Sequence, residues 1–316
     1  MAAAVLAALA GGGALAQPLW PARPVRIVVP FTPGTGMDTL ARTLAPHLSA
    51  RWEQTVLVDN RPGASGNLGA SAVARSPADG HTLLMGVNTL VINPALYPSM
   101  TYDPLKDLTP IGVCATGSFL LVASSAAKIG SVGELVRKAR GKPGALDYAS
   151  PGFATGPHMA MELFKLQAGV SITHIPFAGA AGALNAVLSG EVPLMFLPVH
   201  LALPQVKAGR LVMLAAAGAR RSLLAPDVPT LVELGFEDVE ADLWYGMLAP
   251  AGIPGEIVAK VNADMVEVLA MREVANVLEA QGMKVAPGSP GEMAALMQRD
   301  SRRWAAVVKR AGIKAE

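Results

Sequence analysis

Short apolar runs alternate with helical patterns along almost the whole chain. The runs are short and apolar enough to be buried on both faces, which is typical of parallel strands covered by helices. We therefore predict an α/β fold with parallel sheets. The predicted strands are Arg26–Phe31, Thr55–Val58, Thr82–Met85, Ile111–Val113, Phe119–Ala123, Asp147–Ala149, Ile172–Ile175, Leu194–Leu197, Leu211–Ala216 and Tyr245–Ala249.

Helix starts are marked by a hydroxyl residue three positions before a carboxylate, which is the arrangement of a capping box. Gly141 and Gly235 are placed to end two of these helices. The stretch from Glu256 to Lys309 is predominantly helical, with a break at 282–290. The paired positions are Ser131 with Glu134, Thr230 with Glu233, and Ser289 with Glu292.

The stretch VPFTPGTGMDTLAR, residues 29–42, leads from a predicted strand into a predicted helix. A glycine-rich turn at a helix start directs backbone N–H groups and the positive end of the helix dipole at one small volume, which suits a phosphate or a carboxylate. Thr35 and Asp38 fit a capping box, with Thr35 as the N-cap. Because a carboxylate that touched a bound anion would repel it, we assign Asp38 a local structural role.

A second loop of the same kind, YASPGFATGPH at 148–158, also runs from a strand into a helix, which Pro157 helps to begin. Two such helix starts in different halves of the chain indicate a cleft between two lobes. His158 lies in the first helical turn, where a positive imidazole is disfavoured, so we expect it to pack or to orient the loop. The chain has no G-x-S-x-G or H-E-x-x-H motif, and we predict no catalytic residue, no metal site and no cofactor.

From its residues alone, the first loop is also compatible with a dinucleotide-binding enzyme or with a turn that binds nothing. Gly34 and Gly36 follow a strand, and Asp59 ends the next predicted strand about where a ribose-binding acid would fall. Thr39, however, occupies the third glycine position, and two prolines stiffen the turn. We therefore interpret this match to a nicotinamide-dependent enzyme as accidental, and a turn that binds nothing stays an alternative for this loop.

The chain has 316 residues, which is comfortable for two domains. Its formal net charge of +2 gives no basic field of the kind that nucleic-acid binding requires. A hydrophobic fraction of 52% against 16% charged residues indicates a well-packed globular protein. Cys114 is the only cysteine, so an intramolecular disulfide is excluded, and its apolar surroundings predict a buried, unreactive thiol.

Residues 1–16, MAAAVLAALAGGGALA, are apolar and end in Ala14-Leu15-Ala16, which fits the hydrophobic region and cleavage site of a signal peptide. The n-region is atypical, because no Lys or Arg precedes Arg23. No later apolar run is long enough to cross a bilayer. We therefore expect an exported protein.

Six motifs, spread over nearly all of the chain after this leader, are distinctive together: NRPGASGNLGA (60–70), DGHTLLMG (79–86), INPALYP (92–98), YASPG (148–152), HIPFAGA (174–180) and WYGMLAPAGIP (244–254). They resemble the Bug family of extracytoplasmic solute receptors, the binding proteins of tripartite tricarboxylate transporters. The resemblance implies a two-lobed type II periplasmic binding protein fold, in which each lobe is a sheet flanked by helices and the ligand lies in the cleft between them. Lobe 1 would comprise 24–115 and 243–316 and lobe 2 would comprise 116–242, with crossings near Thr116 and Asp242.

The resemblance also implies which residues contact the ligand. Where the family usually has glycine, this chain has Thr35 and Ala154. Where the family has tyrosine and a basic residue, it has Phe177 and Ala178, and Leu197 lies where a polar residue is usual. The wall of the second lobe is therefore more apolar than in most members, which predicts a carboxylate with an apolar or aromatic body rather than a hydroxylated tricarboxylate such as citrate. The implied contacts are Phe31, Thr32, Gly34, Thr35, Gly36 and Asn88 in lobe 1, and Ser150, Gly152, Ala154, Thr155, Phe177, Ala178, Gly179 and Leu197 in lobe 2.

The function implied by this resemblance is a periplasmic, non-enzymatic receptor. It would be a monomer that captures a small organic carboxylate and presents it to the membrane permease subunits of a tripartite tricarboxylate transporter. A receptor of the same fold that signals to the sensor kinase of a two-component system is the alternative. Nucleic acid is not an expected partner.

Overall fold

The computed structural model describes residues 20–237, 239 and 241–313, so the leader predicted at 1–16 lies outside the described residues. The strands are β1 (Val25–Val29), β2 (Val56–Asn60), β3 (Thr82–Val87), β4 (Leu108–Gly117), β5 (Phe119–Ser124), β6 (Asp147–Ser150), β7 (Thr173–Pro176), β8 (Leu194–Pro198), β9 (Leu211–Ala216), β10 (Leu243–Pro250) and β11 (Met283–Val285). The helices are α1 (Gly36–Trp52), α2 (Asn67–Ala74), α3 (Thr89–Ile92), α4 (Val132–Gly141), α5 (Gly156–Ala168), α6 (Ala180–Ser189), α7 (Val199–Lys207), α8 (Gly255–Leu269), α9 (Arg272–Ala280) and α10 (Pro290–Ala311).

The strands form two separate sheets. The six-stranded first sheet has the order β11-β4-β10-β3-β1-β2, and the five-stranded second sheet has the order β7-β6-β8-β5-β9. The chain passes from the first sheet to the second at Ser118, between β4 and β5, and returns between β9 and β10. The second sheet is therefore built from one continuous segment, and the first sheet from the segments on either side of it.

Both sheets are mixed, so the prediction of parallel sheets was wrong. Strands β3, β1 and β2 are parallel, but β10 runs antiparallel to both β3 and β4. In the second sheet β7, β6 and β8 are parallel, and β5 is antiparallel to its neighbours β8 and β9. An apolar run shows that a strand is buried but contains no information about the direction of its partner.

All ten predicted strands are present, nine of them with shifted ends and β9 with the predicted ends, and one strand was missed. Strand β11 pairs with the end of β4, with Met283 opposite Gly117. It lies in the segment that we predicted as a break between helices. A three-residue strand is too short for its hydrophobic pattern to be recognised.

Two of the three predicted capping boxes begin helices. Ser131 accepts a hydrogen bond from the N–H of Glu134 at the start of α4, and Ser289 forms a complete capping box with Glu292 at the start of α10. Thr230 and Glu233 also exchange hydrogen bonds, but the segment after them forms turns and no helix. The prediction of a helix there was wrong, because a reciprocal pair of caps also stabilises an isolated turn.

The side chains between the layers form a continuous hydrophobic core that includes residues from both sheets, such as Ile27 and Leu121. Cys114 is fully buried in it, with Sγ 3.2 Å from Sδ of Met265. Burial raises the pKa of this thiol to about 12. The prediction of a buried thiol is confirmed, and the raised pKa disfavours the reactive thiolate. Within the described residues, no helix combines the length and the apolar character needed to span a membrane.

Candidate functional site

A cavity of about 340 Å³ lies between the two sheets and is lined from both sides. The first-sheet side contributes the loop Phe31–Gly36, Thr89 and Tyr245, and the second-sheet side contributes the starts of α5, α6 and α7. A larger open groove of about 730 Å³ lies elsewhere, between α2 and the segment 97–102, and none of the predicted ligand contacts lines it. The cavity between the sheets is therefore the candidate site.

Four helices, α1, α5, α6 and α7, begin at the wall of this cavity, where Gly36, Gly156, Ala180 and His200 of their first turns line it. The N–H groups of a first helical turn have no partner within the helix, and the helix dipole makes this end positive. Among the described residues, no Asp, Glu, Lys or Arg side chain lines the cavity. An anion bound here would be held by backbone N–H groups rather than by a cationic side chain.

The first loop is held by Asp38, which is only 4% exposed. Its carboxylate accepts hydrogen bonds from the N–H of Gly34 at 3.0 Å, from Nε of Arg42 at 3.0 Å and from Nδ2 of Asn60 at 2.9 Å. Burial acts to raise the pKa of this carboxyl, but these hydrogen bonds outweigh it and hold the pKa below its ordinary value. The local structural role of Asp38 is therefore present in the structure.

The capping box predicted for this loop does not form as expected. Thr35 has the N-cap position of α1, but no side-chain cap is made, and its hydroxyl donates instead to the carbonyl of Thr32 at 3.1 Å. Asp38 bonds the N–H of Gly34 rather than that of Thr35. The first-turn N–H groups of α1 are thus left without a side-chain cap.

The second loop uses some of its own N–H groups internally. The N–H of Gly152 donates to Oγ of Ser150 at 3.1 Å, and the N–H of Ala154 donates to Nδ1 of His158 at 3.2 Å. Thr155 has the N-cap position of α5, but its hydroxyl donates to the carbonyl of Gly152. The loop is therefore stiffened from within, while the start of α5 stays open toward the cavity.

His158 has the packing role that its position predicted. Its ring is 2% exposed and stacks on His174 with ring centroids 4.2 Å apart. Burial, with smaller contributions from His174 and Lys165, lowers the pKa of His158 to about 2. The ring is therefore neutral at physiological pH and can accept the hydrogen bond from Ala154 that shapes the loop.

Eight of the fourteen predicted ligand contacts line the cavity: Phe31, Thr32, Gly34, Thr35, Gly36, Thr155, Gly179 and Leu197. The structure does not place Asn88, Ser150, Gly152, Ala154, Phe177 or Ala178 among the lining residues. Ala178 is exposed, and Phe177 packs at the edge of a hydrophobic cluster of the second sheet. Asn88 is 1% exposed, and its Oδ1 has no hydrogen-bond partner. The contacts of these six residues with ligand stay predictions.

The chain matches the family model of the tripartite tricarboxylate transporter family receptor over residues 40–313. It belongs to this receptor family. The structure of R. palustris Rpa4515 with adipate superposes on the receptor with a TM-score of 0.88; the sequences are 36% identical, and the match covers 94% of this chain and 100% of that one. MatC from Rhodopseudomonas palustris with bound malate gives a TM-score of 0.85 at 32% identity, covering 92% and 100%.

The periplasmic binding protein BugD superposes on the receptor with a TM-score of 0.86 at 28% identity, and the match covers 94% of this chain and all of BugD, 100%. The predicted two-lobed binding-protein fold, with its flanked sheets and its cleft, is therefore confirmed. The receptor is a solute-binding protein of the tripartite transporter type. Asp59, which a dinucleotide site would use, pairs with Arg26 and Arg61 and does not line the cavity.

Several residues of the receptor's cavity were missed from the sequence. Tyr245 lies within a family motif, but only the pairing of β10 with its neighbours brings it beside the first loop. A Cβ atom built on Gly36 would lie 2.5 Å from its hydroxyl oxygen. Burial raises the pKa of this hydroxyl further above its ordinary value, so Tyr245 is neutral at the wall of the cavity. The other missed residues include Thr89, Phe119, Leu184, His200 and Leu201.

Ala154 and Thr35, which stand where the family usually has glycine, differ in their backbone conformation. Ala154 has φ +58, in the left-handed region that favours glycine, whereas Thr35 has φ −75 and is extended. The usual glycine at the position of Ala154 thus has a conformational reason. Alanine there is held by burial and by its hydrogen bond to His158.

A hydroxyl of the receptor bridges the two sides of the cleft. Ser65 donates to the carbonyl oxygen of Phe153 at 2.7 Å, and its Oγ lies 2.9 Å from the hydroxyl oxygen of Tyr97. Ser65 belongs to the first-sheet segment and Phe153 to the second-sheet segment. This hydrogen bond therefore exists only while the two sides are close together.

Ser65→Ala should weaken ligand binding about fivefold, because a net hydrogen bond contributes about 1 kcal/mol to the closed form. Calorimetric titration with a ligand of the receptor measures this effect, and small-angle scattering should show a wider average cleft. Ser71→Ala is the matched control, since its hydroxyl bonds Thr101 within the first-sheet segment. Equal affinities for all three proteins would show that the Ser65 bridge has no part in closure.

Proposed function

We propose that this receptor captures a small organic carboxylate outside the cytoplasm and delivers it to the membrane permease subunits of a tripartite tricarboxylate transporter, without chemical change to the ligand. The observation that supports this best is the convergence of four helix starts on a cavity with no charged side chain in its described lining. Such a site holds an oxyanion by preformed N–H groups. The related structures with adipate and malate bind ligands of this class.

The lining favours a carboxylate with an apolar body. Leu184, Met195, Phe196, Leu197 and Leu201 form much of the second-sheet side. These side chains make the wall apolar, and contact of Phe177 and Ala178 with the ligand stays a prediction. Each hydroxyl or carboxylate of a citrate-like ligand that stayed unpaired against them would cost about 1–3 kcal/mol. We therefore place a dicarboxylate such as adipate ahead of citrate.

Release of the ligand requires the cleft to open. We propose that the two lobes, 24–115 with 243–316 and 116–242, rotate about the two connections between the sheets. Strands β4 and β10 are paired, with Leu243 opposite Gly117. The short connection at Ser118 therefore lies beside the segment that leads from the second sheet back to Leu243. A paired double connection of this kind permits bending while the sheets stay intact. We expect the exported receptor to act as a monomer.

A thermal-shift screen with adipate, hexanoate, malate, citrate and NAD tests this proposal. Adipate at 100 times its Kd should stabilise the native receptor by about 2.7 kcal/mol, because only the native state binds it. Citrate and NAD should give smaller shifts. A largest shift with citrate would contradict the apolar-body proposal, and saturable binding of NAD without any response to carboxylates would overturn the receptor proposal itself.

A further inference from the structure

Residues 281–283, at the junction of α9 and β11 on the first-sheet side, touch the start of α7 on the second-sheet side. The main-chain carbonyl of Gln281 accepts a hydrogen bond from the ring N–H of His200. This N–H belongs to Nε2, because Nδ1 of the same ring makes no hydrogen bond within the described residues. Val199, the first residue of α7, packs against the backbone of Gly282. The two lobes are therefore in direct contact at this place.

Gly282 has no room for a side chain while the lobes are this close together. A Cβ atom built on it would overlap Cγ1 of Val199 and would lie 3.6 Å from Cδ1 of Leu224, which also belongs to the second-sheet segment. Val199 is 2% exposed, and a valine in a helix has one strongly preferred rotamer, so its side chain cannot turn aside. Gly282 also has φ +71, in the left-handed region that favours glycine. Glycine thus satisfies both the backbone conformation and the close approach of the lobes.

This contact lies beside the short connection between the two sheets. Met283 is paired with Gly117, and Pro198, the residue before α7, is paired with Phe119. Gly117 and Phe119 flank Ser118, where the chain crosses from the first sheet to the second. A small separation close to a hinge produces a larger separation at the far edge of the cleft. The distance between the lobes at this contact therefore controls the width of the whole cleft.

The same segment also stands next to the start of α1. Cε of Met283 lies 2.8 Å from the position that a Cβ atom on Gly36 would have, and Gly36 is the first residue of α1. Both Gly36 and His200 line the cavity. Residues 281–283 therefore lie between two of the four helix starts at the cavity, one on each lobe, and set the spacing between them.

We infer that Gly282 is the stop that limits closure of the cleft: its contact with Val199 sets the angle at which the two lobes come to rest around a ligand. A larger residue at either position holds the cleft partly open and moves the helix starts of the two lobes apart. Every carboxylate then loses affinity by the same factor, because the stop acts on the closed form and not on one group of the ligand. This inference rests on the proposed function, since closure around the ligand is part of it.

Calorimetric titration of the full chain with adipate and with malate tests this inference. Gly282→Ala should weaken the binding of both acids about tenfold, because a methyl group without room opposes closure. Small-angle scattering of this variant at saturating adipate should show a wider cleft than that of the wild type. Val199→Ile adds a methyl group on the other side of the contact, without backbone strain, and should weaken binding in the same way.

A rescue variant separates the contact between the lobes from other effects of the substitution. Val199→Ala removes the opposing methyl groups, and the Cβ atoms at positions 199 and 282 then stand 3.4 Å apart, which is a close but allowed contact. The double variant Val199→Ala with Gly282→Ala should therefore bind adipate within about threefold of Val199→Ala alone.

Gly209→Ala is the matched control, because Gly209 has φ +70 and nothing lies within 4 Å of an added Cβ atom. It introduces the same backbone strain without the contact between the lobes. It should lose about as much stability in a thermal melt without ligand as Gly282→Ala does, and it should bind both acids as the wild type does.

Wild-type affinity for adipate in a folded Gly282→Ala receptor would overturn the inference. If Gly282→Ala does not fold, unchanged affinity in Val199→Ile has the same meaning. Equal losses of affinity in Gly209→Ala and Gly282→Ala would overturn it too, because they would assign the effect to backbone strain, and so would a loss that Val199→Ala does not reduce. A wild-type receptor that binds neither acid nor any other carboxylate would overturn the proposed function and this inference together.

Discussion

Gly36→Ala should reduce the affinity of the receptor for its carboxylate ligand about 100-fold, or about 2.7 kcal/mol. Gly36 is the first residue of α1 and lines the cavity. Its added Cβ would lie 2.5 Å from the hydroxyl oxygen of Tyr245 and 2.8 Å from Cε of Met283. The flexible end of Met283 can move, but the ring of Tyr245 is buried in the first sheet. The new methyl group therefore displaces the Tyr245 hydroxyl at the point where α1 presents its N–H groups.

Calorimetric titration with adipate measures this loss, and a thermal melt without ligand separates it from misfolding. Gly291→Ala is the matched control, because it makes the same chemical change in the first turn of α10, where nothing lies within 4 Å of the added Cβ. That variant should bind as the wild type does and should be slightly more stable, since alanine is the better helix former. Wild-type affinity in a folded Gly36→Ala receptor would contradict our placement of the ligand against α1.

Asp38→Ala should destabilise the receptor by about 2–4 kcal/mol, the largest effect on folding that we expect from a single polar side chain. The change removes hydrogen bonds from Gly34, Arg42 and Asn60 together. It leaves donors without their acceptor in a partly buried position. Asn60 also donates to the carbonyl of Phe31, so the network holds the whole first loop. Ligand affinity should fall as well, because the loop loses its fixed shape.

The effect of Asp38 depends on pH with a definite sign. Since the pKa of this carboxyl is lower in the folded state, its contribution is fully present above the unfolded pKa of about 3.9 and is lost as the pH falls toward the folded pKa. Urea unfolding of wild type and Asp38→Ala should thus show a constant difference near neutral pH that narrows only in acid.

Asp103→Ala is the control for this prediction. Its carboxylate also accepts a backbone hydrogen bond, from Leu105, and pairs with Lys106, but its side chain is 42% exposed. The cost there should stay within about 1 kcal/mol, because water replaces the lost partners. If the two aspartate variants lost equal stability, the network around Asp38 would have no special role.

The features that depend on local pattern could be predicted from the amino-acid sequence. The apolar runs identified ten strands and the α/β class, because a buried strand must be apolar wherever its partners lie. Ser131 and Ser289 identified helix starts, because a capping box involves residues only three positions apart. The glycine-rich loops at 29–42 and 148–158 indicated helix starts able to hold an anion, and both line the cavity. The family motifs supplied the two-lobed arrangement.

The contacts between residues far apart in the chain could not be predicted in this way and follow from the folded structure. The direction of β10 and the presence of β11 depend on pairing across the first sheet, and no local pattern encodes either. Tyr245 and His200 line the cavity because elements far apart in the chain, β10 and α7, meet there. Ala178 was predicted to contact the ligand from the loop after β7, but it is exposed and is not among the lining residues. Asp38 accepts a hydrogen bond from Asn60, which lies on β2, instead of forming the predicted capping box with Thr35. Each of these outcomes is set by long-range packing, which minimises unpaired polar groups over the whole molecule rather than within one segment.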